Sequence, residues 1–208
     1  MKKLVTTVIV VCLIIFFVAL VYAIANTAQQ SNGTIDWVAT VGVLVVALAV
    51  ILTRFFTVRN EVKKLMSAYN NKDYTTVVEL KNTADITGLN KIQKQTICLT
   101  VAISYLELEN QDEFFNYIQR VDCPELQNLK LFWQAVSRFS LNDMEGFGNW
   151  KHALENSNNE KDKQKLLSVM NVLEKSYQKQ PLNDEDRQLT QSLSSVLVRK
   201  LIETSVND

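Results

Sequence analysis

Two uninterrupted apolar runs open the chain, residues 4–24 and 37–56, each about twenty residues long. A helix rising roughly 1.5 Å per residue makes each about 30 Å long, the thickness of a bilayer's hydrocarbon core. Both are read as membrane-spanning helices, joined by the polar linker 26–36 into a hairpin. No charge lies in the interior of either run. Arg54 sits near the end of the second, where its long side chain can snorkel to the interface. Tyr22 and Trp37 flank the linker, where amphipathic rings settle at the membrane surface. Ala19 and Ala23 in the first run, with Ala39 and Gly42 in the second, offer small surfaces for close packing near the outer turn.

Beyond residue 59 the apolar positions recur at helical spacing. Tyr74, Val77 and Val78 follow Asp73. Phe114, Tyr117, Ile118 and Val121 follow Asp112. Met144, Phe147, Trp150 and Leu154 follow Asp143. An aspartate at a helix start accepts hydrogen bonds from free backbone N–H groups and suits the helix dipole, so each is read as an N-cap. An apolar helix precedes each of these segments. Residues 97–106 are apolar nearly all round, as expected of a buried central helix; Leu126, Leu129, Phe132, Trp133, Val136 and Phe139 mark the next. Further on, Leu166, Leu167, Val169, Met170, Leu173 and Tyr177 predict a helix over 163–180. Asn183 then caps a single last helix with the apolar face Leu189, Leu193, Val196, Leu197 and Leu201; Val198 and Ile202 widen that face and are read as covering the preceding helix. No Gly or Pro lies between Val43 and Thr87, and Phe55, Phe56, Val58, Val62, Leu65, Met66 and Tyr69 keep an apolar thread. The second span is therefore expected to run on as one helix into the domain, ending near Asn70 and Asn71 and holding the domain at a fixed distance from the bilayer.

Charge gives the expected orientation. Lys2 and Lys3 precede the first run; Arg54, Arg59, Lys63 and Lys64 follow the second; the linker has neither Lys nor Arg. Basic residues stay on the cytoplasmic side, so both termini and the large domain are expected in the cytoplasm, with the cell membrane as the site. Ala23, Ile24 and Ala25 have the form of a signal-cleavage site, but such signals carry a shorter apolar region, of about 7–15 residues, so the run is read as retained. Asn32, Gly33 and Thr34 fit a glycosylation sequon and equally an Asn-Gly turn; the turn is the reading adopted.

Composition changes the picture mainly by exclusion. Residues 60–208 hold eighteen basic and twenty-one acidic side chains, a poor match for nucleic-acid phosphates. About 150 residues suffice for a core without disulfides or metal. Cys12, Cys98 and Cys123 show neither a Cys-x-x-Cys nor metal-ligand spacing and are read as buried, reduced thiols. Intramembrane ionisable groups mark ion and substrate paths, and none occurs inside the runs. No nucleophile elbow, P-loop or dinucleotide fingerprint occurs. The pair Gly146 and Gly148 stands in helical context, His152 has no readable catalytic partner, and Glu107, Glu109, Asp112 and Glu113 read as a solvated helix end. No catalytic, cofactor-binding or metal-binding residue is assigned. The chain is not read as an enzyme, and no small-molecule substrate is evident.

Stretches 68–74, 102–114 and 135–147 share one pattern: an apolar helix, a short polar turn ending in Asp, then an amphipathic helix. Their leading alanines, Ala68, Ala102 and Ala135, are 34 and 33 residues apart. This resembles the tetratricopeptide family, whose period is 34 residues, over 61–177. The family's Trp–Leu–Gly–Tyr run and closing proline do not occur here; Pro124 and Pro181 precede helices instead. The expected fold class is all-α: a transmembrane hairpin, 1–59, followed by a cytoplasmic α-α repeat domain, 60–208, with a C-terminal capping helix of the kind that solenoid ends require. The resemblance implies a protein-interaction scaffold whose concave face holds a peptide or partner protein at the membrane surface, with lipid as the other partner. The alternative is a structural or accessory subunit of a membrane complex, its spans packed against other spans.

Overall fold

The computed structural model describes residues 46, 47, 49, 50, 60–82, 86 and 88–207. The chain divides into two units, Met1–Thr57 and Val58–Asp208. In the first, the four described residues are helical, and Val46 and Val50, one turn apart, are exposed. The run 4–24, most of 37–56, the Ala23–Ala25 site, the Asn32 sequon, Cys12 and the helix expected across 51–59 lie outside the described residues. Among the described residues no helix is long and apolar enough to cross a membrane.

The second unit is all-helical, with no strand among its described residues. Its helices are α1 (60–70), α2 (Tyr74–Leu80), α3 (Lys91–Glu107), α4 (Gln111–Ile118), α5 (Gln127–Ser140), α6 (Met144–Glu155), α7 (Lys163–Tyr177), α8 (Asp184–Ser192) and α9 (Val196–Asn207). A short 3-10 turn, Pro124–Leu126, leads into α5 with proline at its first position, where a missing N–H costs nothing. The closest pairs are α3 with α4 and α5 with α6; α7 packs on both α5 and α6, and α9 packs on α7 and α8.

One turn builds the pairs α1/α2, α3/α4 and α5/α6. Lys72, Glu109 and Asn142 each adopt left-handed backbone, at φ 60°, 59° and 58°. The residue after each donates its N–H to a carbonyl five positions back, and the left-handed residue donates to the carbonyl three back. These bonds are Asp73 to Ala68 and Lys72 to Tyr69, Asn110 to Tyr105 and Glu109 to Leu106, Asp143 to Arg138 and Asn142 to Phe139, all at 2.9–3.0 Å. The pattern satisfies the orphan carbonyls of the first helix. The next residue is at once the N-cap of the second helix: Asp73 accepts from Thr76 N, Asn110 from Glu113 N and Asp143 from Gly146 N. A fourth such turn, at Lys179 (φ 54°), closes α7 with the same two bonds, Lys179 to Ser176 and Gln180 to Lys175, but Pro181 and Leu182 intervene before the cap Asn183.

These turns correct two expectations. The cap of α4 is Asn110, not Asp112, which lies inside the first turn with Glu113. They also reset the register of the repeat. Ala102 and Ala135 do occupy equivalent places, three residues before Tyr105 and Arg138, and both are fully buried. Their counterpart in the α1/α2 pair is Leu65, fully buried too, rather than Ala68, so the pairs are offset by 37 and 33 residues. Four positions after each cap the same slot is filled by Val77, Phe114 and Phe147, all 0–1% exposed. Burying a side chain of this kind contributes about 1.5–3 kcal/mol.

Two further expectations give way. The last helix is two: Leu193 is extended (φ −69°, ψ 131°) and ends α8, and α9 begins at Val196. Tyr177, counted with the apolar face of α7, is 44% exposed, while Val172 is buried there. Other expectations hold: residues 99–106 are buried without a break, Asn183 caps α8 in a reciprocal capping box with Asp186, and Val198 and Ile202 are covered.

Candidate functional site

Of the large apolar side chains exposed among the described residues of the second unit, four of five lie at one edge: Leu108, Leu141, Tyr177 and Val196, the fifth being Ile92. The shared turn puts them there. Leu108 and Leu141 hold the same position, two residues before the caps Asn110 and Asp143, in successive pairs. Tyr177 ends α7, and its ring lies edge-on to Phe139 at 6.1 Å, two residues from Leu141. Val196 opens α9 beside Leu197, whose N–H reaches the carboxylate of Glu107, the neighbour of Leu108. The other turn positions are polar: Lys72, Glu109, Asn142 and Lys179. Below the edge, Ser137 Oγ donates to Gln111 Oε1 at 2.6 Å and Gln111 Nε2 to Ser140 Oγ at 2.9 Å, fixing the α4–α5 seam. Arg138 lies 5.1 Å over the Phe115 ring.

Glu107 forms a second focus. It is not the solvated helix end expected from sequence. Its Oε1 accepts from Ser195 Oγ at 2.6 Å and its Oε2 from Leu197 N at 2.9 Å, while Ser195 Oγ accepts from Val198 N at 3.1 Å. Two orphan N–H groups at the start of α9 are thus satisfied, one by its own serine and one by a carboxylate ninety residues away in sequence. Glu109 meets Lys200 at 3.1 Å, an exposed pair worth little by itself. Tyr69 and Tyr74, with rings 6.1 Å apart, stand beside this carboxylate. Burial and the charge of Glu107 push the Tyr69 phenol up to about 12; the same causes, with a hydrogen bond to Glu107, push Tyr74 up further. Both phenols therefore stay protonated.

A third cluster ties α2 to the next pair. Lys81 hydrogen-bonds the Tyr105 hydroxyl and lies 4.5 Å from the Tyr105 ring centre and 5.0 Å from that of Tyr117; the Arg120 guanidinium lies 4.5 Å from the Tyr117 ring centre. Burial lowers the Lys81 ammonium, but the tyrosine contacts outweigh it and leave a net rise.

The groups with chemical potential are placed as follows. Cys98 is half-buried, and burial raises its thiol. Cys123 is buried and donates to Glu125 Oε2 at 2.7 Å, which raises the thiol and lowers the carboxyl. Both cysteines therefore favour the unreactive thiol form. His152 is exposed, 3.6 Å from Glu155 and 3.0 Å from Asn156, on the outer face of α6. Gly146 is structural: a Cβ there would meet Asp143 Cγ at 2.8 Å and Arg138 Cδ at 3.0 Å, whereas Gly148 faces open space. A polar cleft of about 580 Å³ between α7 and α8 is lined by Lys165, Ser168, Asn171, Lys175, Gln178 and Glu185 among others; three of the charges on its walls are paired, Lys175 with Asp186 at 2.8 Å and Glu174 with Lys151 at 2.5 Å. Among the described residues no group of three His, Cys, Asp or Glu could hold a metal.

Sequence reasoning missed Glu107, Ser195 and Lys81. The signal for Ser195 was present, a hydroxyl residue just before an apolar-periodic segment, but the partner of Glu107 is too distant along the chain for any local pattern to reveal. Compared with family models, curated proteins and solved structures, the chain matches none. What is established is an all-helical domain whose repeated αα-pairs are compatible with a helical repeat.

Proposed function

We propose that this chain is a membrane-anchored protein-interaction module: a two-span hairpin, 4–24 and 37–56, that carries a tetratricopeptide-like helical domain on the cytoplasmic face of the cell membrane. The anchor rests on the length and low charge of the two apolar runs and on the flanking lysines and arginines. The interaction role rests on the turn edge. A domain that buries its core fully, and that satisfies its helix ends with repeated caps, still leaves Leu108, Leu141, Tyr177 and Val196 exposed together. Clustered exposed apolar residues mark contact sites more often than scattered ones do. The edge is formed by loops and helix ends, which change with least cost to the fold.

The test is photocrosslinking in native membranes, with the crosslinker placed singly at Leu108, Leu141 or, as control, the exposed Asn149. The edge positions are expected to give discrete protein adducts that Asn149 does not. Equal labelling from all three positions, or none, would remove the edge as a contact surface. Purification in mild detergent separates the accessory-subunit alternative: a complex of fixed stoichiometry with other membrane proteins would favour it.

A further inference from the structure

Helix α1 buries Leu65 and Ala68 in the core, with Val62, Met66 and Tyr69 packed against it. Its other side is exposed and carries Lys63, Lys64, Ser67 and Asn70; the turn that follows adds exposed Asn71 and Lys72. We propose that this basic face of α1 binds the anionic lipid headgroups of the membrane, so that the charge of the leaflet sets how the helical domain stands on it.

Three features point to a lipid surface. First, charge is unevenly divided. Residues 60–72 hold three lysines and one glutamate, whereas 73–208 hold fifteen basic and twenty acidic side chains. An anionic surface therefore attracts the start of the domain and repels the remainder, which turns the domain as well as holding it. Among the described residues Lys63, Lys64 and Lys72 form no ion pair, while Lys151, Lys163, Lys175 and Lys200 each do. Second, the fold does not require lysine at these places. With Leu65, Ala102 and Ala135 aligned, Lys63 and Lys64 fall on the slots of Thr100 and Val101 in α3 and of Trp133 and Gln134 in α5, all buried. An end helix of a stack needs a polar outer surface, but amides or mixed charges would supply it equally. The turn changes in the same direction: Asn71 and Lys72 stand where later turns carry Leu108 and Glu109, then Leu141 and Asn142, so the exposed apolar edge stops short of α1. Third, the chain keeps these lysines near the second apolar run. Lys63 follows Phe56 by seven residues, so even a fully extended chain holds it within about 25 Å of that run's end. Arg54 and Arg59 bring the basic residues of 54–72 to five, and clusters of about 4–8 beside a membrane span bind anionic headgroups.

The lipid contact rests on the reading of the first unit as a membrane hairpin, but the two fail separately. The full chain, with Cys12, Cys98 and Cys123 replaced, carries a fluorophore at Ser67→Cys and is reconstituted in nanodiscs of phosphatidylcholine, with or without phosphatidylserine. A phosphatidylcholine bearing a nitroxide on its headgroup is the quencher. Quenching is expected to be at least about twofold stronger in the phosphatidylserine discs, since each lysine near an anionic surface raises occupancy about fivefold. Salt at about 1 M, where charges are screened beyond about 3 Å, is expected to abolish the difference without any change to the chain. The double substitution Lys63→Glu, Lys64→Glu is expected to abolish it at low salt. A fluorophore at the exposed Asn149→Cys in α6 is expected to show no rise with phosphatidylserine. Equal quenching in the two kinds of disc, or a difference that survives either the salt or the double substitution, would overturn the proposal and leave the hairpin reading intact. An equal rise at Asn149→Cys would overturn it too, by showing adhesion without orientation. A chain that separates from the discs would end the hairpin reading, and this one with it.

Discussion

The economy of this domain is visible in single residues that serve two helices. Asp143 is the sixth residue of one turn motif and the N-cap of the next helix, and Gly146 gives it room. In an exposed helix Gly→Ala normally gains up to about 1 kcal/mol. Gly148→Ala, with nothing within 4 Å of the new methyl, is expected to show that gain. Gly146→Ala is expected to forfeit it and destabilise, because the methyl would press on the capping carboxylate. Urea denaturation of both variants checks the difference in sign. Lys179 makes the converse case. An L-residue at φ 54° bears a steric cost that glycine avoids, and its exposed side chain has no recorded contact to lose. Lys179→Gly is expected to stabilise by up to about 1 kcal/mol, net of the added freedom of the unfolded chain; an unchanged or lowered midpoint would show that its side chain contributes more than the backbone conformation costs.

Among the elements, the boundaries that local chemistry sets were readable in the sequence, and those set from afar were not. Asp73, Asp143 and Asn183 could be identified as caps because the hydrogen bond each accepts is three residues away. Asn110 was missed in favour of Asp112 because both residue types cap and only the left-handed Glu109 decides between them. The break between α8 and α9 was hidden because Leu189, Leu193, Leu197 and Leu201 keep a spacing of four straight across it. The helix breaks at Leu193, where the backbone is extended, and Ser195 after it donates to Glu107. The loop before α7 depends on distance in the same way. Asn128, 3% exposed, donates to the carbonyls of Asn159 and Lys161 and accepts from Ser157 Oγ, so that one amide ties three residues of the connection to α5. Asn128→Ala would leave two backbone carbonyls without their partner and is expected to cost about 1–3 kcal/mol. Proteolysis within 157–161 should accelerate in parallel; a stable variant with an intact loop would show that water replaces the amide.

At the scale of the molecule, the chain has two units, Met1–Thr57 and Val58–Asp208. The second has its own core, from Leu65 in α1 to Ile202 in α9, made of side chains that belong to its own helices. A fragment starting at Asn60 is therefore expected to be soluble, helical by circular dichroism and cooperative on heating. Aggregation or a non-cooperative melt would mean that this core depends on the preceding residues or on a partner. The proposal that the first unit is a membrane hairpin stands on the length of its two apolar runs and on the basic residues that flank them, and it puts the turn edge on the cytoplasmic side. The most direct measurement is cysteine accessibility in intact cells, in a chain whose Cys12, Cys98 and Cys123 are replaced. The account predicts that Asn32→Cys reacts with a membrane-impermeant maleimide and that Asn207→Cys reacts only after the cells are opened. Labelling of Asn207→Cys in intact cells, or recovery of the chain in the soluble fraction, would contradict it.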